Sequence, residues 1–66
     1  MDARQIGRRL RELRGERTLS EVAEAVQVTP SALGNYELGL RVPRDEVKVR
    51  LANYYMITID ELFYAS

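Results

Sequence analysis

Few kinds of side chain in this sequence can do chemistry. It has no histidine and no cysteine, which removes the commonest general base, the commonest metal ligand and any thiolate site or disulfide. Two pairs of adjacent carboxylates, Asp45-Glu46 and Asp60-Glu61, come nearest to an acid–base or metal-binding arrangement. Both fall where first helical turns are expected, and there a carboxylate serves the positive end of the helix. No catalytic residue, metal site or cofactor is expected. Ser31 and Asn35 stand apart: they lie one helical turn from each other and present polar groups to the same side.

The chain has 66 residues, enough for one small domain over 1–66 with a limited core. Its net charge is zero, which by itself argues against a nucleic-acid partner. The charge is unevenly spread, however. Residues 1 to 17 hold Arg4, Arg8, Arg9, Arg11, Arg14 and Arg17 against three acids, and Arg41, Arg44, Lys48 and Arg50 cluster later. Two basic zones on a neutral protein can form a local positive face; ordinary solvated helix faces account for most of these arginines equally well. No apolar run approaches a membrane span, and no secretory apolar core opens the chain. A cytoplasmic location is the expectation.

Five helices position these groups, and no strand is read. In the first, 3–14, Ala3, Ile6, Leu10 and Leu13 form an apolar stripe. Asp2 is its cap, and Gly7 inside it suggests a close helix–helix approach. Thr18 and Glu21 form a capping box that opens a second helix, 19–26. Gln27-Val28 make a turn. Thr29 caps a third helix with Pro30 at its first position, and Gly39 stops it. A fourth, 44–55, presents Val47, Leu51, Tyr54 and Tyr55 inward. Thr58 and Glu61 form another capping box and open a short fifth helix carrying Ile59, Leu62 and Phe63. The shared core is expected from Ile6, Leu10, Leu13, Val22, Val26, Val28, Leu33, Leu51, Tyr55, Ile57, Leu62 and Phe63.

The order of these pieces resembles the helix-turn-helix of phage repressors and Cro, the XRE family. The residues that carry the resemblance are Ala23, the turn at Gln27, Leu33, Tyr36-Glu37 and Gly39. Around them stand Leu10-Arg11-Glu12-Leu13-Arg14, then Arg41 and Pro43, then Ala52-Asn53-Tyr54-Tyr55 and Ile57 to Leu62. It implies an all-α, compact five-helix bundle, a lambda-repressor-like DNA-binding domain. There the second helix crosses the DNA backbone and the third enters the major groove. Where the family has glycine this chain has Gln27, and again Met56; a non-glycine residue at positive φ costs about 1–2 kcal/mol, so both turns are expected to be strained or bent differently. The segment joining the first two helices is also shorter than in many relatives.

The resemblance assigns roles residue by residue. Ser31 and Asn35 would face base edges, with Pro30 and Ala32 offering apolar contact to a thymine methyl; as a helix starter and a helix former those two have equally good local roles. Thr18, Leu19 and Ser20 would meet phosphate at the start of the second helix, as would Arg41, Arg44 and, more weakly, Arg17. Arg14 and Glu37 would pair structurally. Gly34 either lets the helix approach DNA closely or is a tolerated defect. The expected function is sequence-specific binding of double-stranded DNA, at a palindromic operator, by a homodimeric transcriptional repressor. No small-molecule substrate or effector site and no membrane contact is expected. The alternative is a protein-interaction or antitoxin-like module on the same fold, which the neutral charge supports; an enzyme is the remotest reading.

Overall fold

The computed structural model describes residues 2–65. Four α-helices are α1 (Ala3–Arg14), α2 (Leu19–Ala25), α3 (Pro30–Glu37) and α4 (Asp45–Tyr55), followed by a single π-helical turn, Asp60–Tyr64, here α5. There is no strand among the described residues.

Every start but that of α4 is set by a local side-chain cap. Asp2 accepts the Gln5 N–H while the Gln5 side chain accepts the Asp2 N–H, a full reciprocal box. The Thr18 and Thr29 hydroxyls accept from Glu21 and Ala32 at 3.0 Å. At Thr18 only the hydroxyl half of the expected box forms. At Thr58 both halves form: its hydroxyl accepts from the Glu61 N–H, and Glu61 Oε1 accepts from the Thr58 N–H at 3.4 Å. Pro30 occupies the first turn of α3, where its missing N–H costs nothing. Arg44 stands at the α4 cap without a side-chain bond, so that helix begins one residue later than its sequence suggests.

Three helices end in one way. Val28 N–H reaches Ala23 O while Gln27 N–H reaches Glu24 O. Leu40 with Gly39, and Ile57 with Met56, repeat the pattern on Asn35 with Tyr36 and on Ala52 with Asn53. This double bond needs a left-handed residue. Gly39 takes it at φ 76°, and Gln27 and Met56 take it at 62° and 59°. The turns therefore keep the glycine geometry with side chains that pay for it in strain.

The core is Ile6, Leu10, Val22, Ala23, Val26, Leu33, Tyr36, Val47, Leu51, Ala52, Leu62 and Phe63. Leu13, Val28, Tyr55 and Ile57, expected in the core, pack against its edge and are only partly buried. Ala23, Tyr36, Val47 and Ala52 are buried instead. The fifth element also departs from the expected short α-helix: Ala65 N–H bonds to Asp60 O, five residues back. Its neighbours Leu62 and Phe63 are both fully buried, which the wider turn accommodates. Arg9 donates to the Glu61 carbonyl, tying α5 to α1. Lys48 donates to the Tyr64 hydroxyl at 3.1 Å and lies over the Phe63 and Tyr64 rings, tying it to α4.

α3 is held between α1 and α2. A Cβ on Gly7 would fall 2.3 Å from Glu37 O and 2.7 Å from Tyr36 O, so α1 rests directly on the last carbonyls of α3. Glycine consequently acts in opposite senses at two sites. Gln27→Gly relieves a left-handed side chain and raises stability by about 0.5–1 kcal/mol, the strain relief less the extra backbone entropy. Gly7→Ala gains helix propensity of about 1 kcal/mol but forces two rigid carbonyls away, at about 1–3 kcal/mol or more. Thermal melting by circular dichroism should show Tm rising for the first and falling for the second; a fall for Gln27→Gly contradicts the strain assignment.

Candidate nucleic-acid interface

α3 presents one face to α1 and α2 through Leu33 and Tyr36, both buried. Its other side carries Ser31, exposed, and Asn35, partly exposed. Pro30 is exposed beside them, and Ala32 is partly buried against the core. Gly34 shares this region. A Cβ there would meet only Leu19 Cδ1, at an ordinary 3.8 Å, so nothing in the fold requires glycine at a helix-interior position where it costs about 1 kcal/mol.

Leu19 lies at the start of α2, and its side chain packs against the core beside Gly34; only its backbone N–H remains to meet a ligand there. Thr18 and Ser20 are exposed. The Thr18 hydroxyl is occupied as a cap. After α3 the chain runs through Leu40, Arg41 and Val42, all exposed, to Pro43, which is buried and pins the loop, and then to Arg44, also exposed.

Arg14 and Glu37 lock the two sides together. Arg14 Nε donates to Glu37 Oε2 at 2.8 Å and Nη2 to Oε1 at 3.0 Å, a two-pronged pair whose side chains are 13% and 6% exposed. These bonds to the Glu37 carboxylate hold the guanidinium even more firmly protonated, against the opposing effect of burial. The third prong, Nη1, donates to Arg17 O at 2.6 Å and fixes the approach to α2. Removing one partner of such a pair typically costs about 3–5 kcal/mol when it is fully buried, and somewhat less at this partly open site.

From sequence, Arg17 is a weak phosphate candidate and Tyr54 and Tyr55 pack inward. The structure places the Arg17 guanidinium carbon over both rings, 5.4 Å from the Tyr54 centre and 5.9 Å from that of Tyr55. No local pattern signals this contact, because the partners are far apart in the chain. Tyr64, by contrast, is largely exposed. An open cleft of 380 Å³ is lined by Arg4, Arg8, Glu37 and Leu38. Its carboxylate is already engaged by Arg14, so it offers no free acid–base pair. No group of three or more acidic residues able to hold a metal occurs among the described residues, and none of their helices is long and apolar enough to cross a membrane.

The Tyr55 hydroxyl is buried with no hydrogen-bond partner. Burial, and then the nearby Glu37 carboxylate, push its phenol up to about 12. An unfolded tyrosine ionises near 10. Between about pH 10 and 12 the unfolded chain gives up this proton while the folded chain keeps it, so stability falls as pH rises through that window. Tyr55→Phe removes both the unpaired hydroxyl and this sensitivity. Its urea midpoint at neutral pH should match or exceed that of the wild type, and should decline less from pH 10 upward. A lower neutral midpoint would mean the hydroxyl has a stabilising partner.

No curated protein and no solved structure gives a match. The family model described as a helix-turn-helix domain matches residues 5–62. That span runs from the first turn of α1 into α5 and includes the whole α2–turn–α3 unit, and with it the residues that pin α3. The chain belongs to this family of XRE-like helix-turn-helix domains, which bind DNA and are typically not enzymes.

Proposed function

We propose that the chain is a sequence-specific DNA-binding regulator, a repressor, which lays α3 in the major groove. The outward face of α3 carries this reading: Ser31 and Asn35 lie on a helix fixed from behind, beside a glycine that the fold does not need. Asn35 is suited to a two-bond contact with adenine, and Ser31 to several bases. Pro30 supplies apolar contact to a thymine methyl, with Ala32 contributing at its exposed edge. The backbone at Thr18, Leu19 and Ser20, together with Arg41, Arg44 and Arg17, grips phosphate and sets register.

One module of this size covers little DNA, so two copies bind a palindromic operator with half-sites about one helical turn, ~34 Å, apart. Occupying that site excludes polymerase. Residues 1–66 act as one DNA-binding domain in the cytoplasm.

A second reading has its own observation. Leu38 and Leu40 are 71% and 70% exposed and Val42 is 48% exposed. An apolar run of this kind on a neutral chain suits a protein-interaction or antitoxin-like module. Selection of bound duplexes from a random pool separates the two. The DNA reading expects an enriched, two-fold-symmetric motif. It also expects Asn35→Ala to weaken that site by about 1–3 kcal/mol and to relax one base position per half-site, with Tm unchanged. No enrichment, and no effect of Asn35→Ala, would favour the interaction module.

A further inference from the structure

Arg17 lies in the short segment between α1 and α2, and it is held from both ends. Its main chain is fixed by the Arg14 side chain, which donates to its carbonyl at 2.6 Å, and by its own N–H, which donates to Arg14 O at 3.1 Å. Its guanidinium rests in a corner made by two rings of α4. Tyr54 and Tyr55 meet edge to face, with centres 5.1 Å apart and planes at 71°, and the charge lies over both.

The two ring faces attract the charge but accept no ordinary hydrogen bond from it, so the guanidinium N–H donors remain for another acceptor. No carboxylate takes those donors among the ion pairs of the described residues, and the residue is exposed. An arginine on a surface normally swings freely and gives up that freedom when it binds. Here two rings already favour one placement of the charge in the unbound chain, one residue before the exposed start of α2.

We infer that Tyr54 and Tyr55 form an aromatic seat that positions Arg17 to grip a phosphodiester group, which makes Tyr54 a positioning residue for DNA binding. This rests on the DNA-binding reading above. The ligand is the sugar–phosphate backbone of a duplex, whatever its sequence, because an edge-on guanidinium reads charge and oxygen geometry.

The test uses a fluorescent duplex of arbitrary sequence, about two helical turns long, with affinity measured by anisotropy across a range of salt. For Arg17→Gln the slope of log affinity against log salt should fall by about 0.9, one phosphate contact. Tyr54→Leu, which keeps every charge, should weaken binding roughly two- to five-fold, the effect of losing an exposed cation–aromatic contact. Tyr54→Phe keeps the ring and should bind like the wild type. Tyr54→Leu should add nothing in the Arg17→Gln background, whereas a purely structural tyrosine would weaken both backgrounds alike.

If Tyr54→Leu does not fold, Arg17→Lys decides: it should keep the salt slope and lose affinity, because an ammonium is a point charge without a stacking plane. An unchanged slope for Arg17→Gln, equal losses in the two backgrounds, or full affinity for Arg17→Lys overturns the seat while leaving DNA binding intact. Absence of duplex binding by the wild type, even at low salt, overturns the DNA reading and this inference with it.

Discussion

The structure depends on the seating of α1 against the end of α3. Backbone meets backbone at Gly7, where any side chain would collide with the carbonyls of Tyr36 and Glu37. Two turns further along α1, Arg14 takes the Glu37 carboxylate with two prongs. One contact sets distance by steric exclusion and the other sets orientation by hydrogen-bond geometry. α3 has eight residues, too few to persist as an isolated helix in water. Its direction is therefore a property of this clamp, and anything its outer face recognises inherits its precision from residues that touch only the inner one.

A second constraint acts at the helix ends. α2, α3 and α4 all finish in the same left-handed turn, yet only α3 uses glycine. The strain at Gln27 and Met56 persists because the residues after each turn are anchored: Val28 and Ile57 pack against the core, and each donates the shorter of the two turn hydrogen bonds, to the carbonyl five residues back. Local geometry is dictated by tertiary packing there, at the expense of local preference. In the α2–α3 turn this keeps the two helices at the angle that exposes Ser31 and Asn35.

What was legible in the sequence follows from the range of each interaction. Caps at Asp2, Thr18, Thr29 and Thr58 bond to residues three positions on, so element type and start could be read locally. The glycine at 7 announced a close approach without naming its partner. Contacts between distant segments left no pattern. Arg9 on the Glu61 carbonyl, Lys48 on the α5 rings and Arg17 on the α4 tyrosines arise because folding brings unrelated helices together. The π spacing of α5 was hidden for the same reason, since Thr58 and Glu61 describe its start equally well for either turn. The faces of α3 were readable because periodicity separates Leu33 and Tyr36 from Ser31 and Asn35; what those outward residues touch is a question about a second molecule.

The arginine-rich first segment is where composition and structure diverge most usefully. As a count, six arginines in seventeen residues look like a nucleic-acid footprint on an otherwise neutral chain. In the fold their tasks separate. Arg14 is neutralised by Glu37, and Arg9 and Arg11 cap carbonyls at Glu61 and Gly15. Arg4 and Arg8 border a cleft next to Glu37. A basic stretch that closes helix ends and joins helices needs no anionic partner to explain it. With net charge at zero, long-range attraction to a polyanion is weak, so binding must draw on a few well-placed cations at short range. On the reading proposed above, fixing such a cation before contact matters more than adding another; Arg17, its main chain tied to Arg14 and its charge over two aromatic rings of α4, is the arginine so placed.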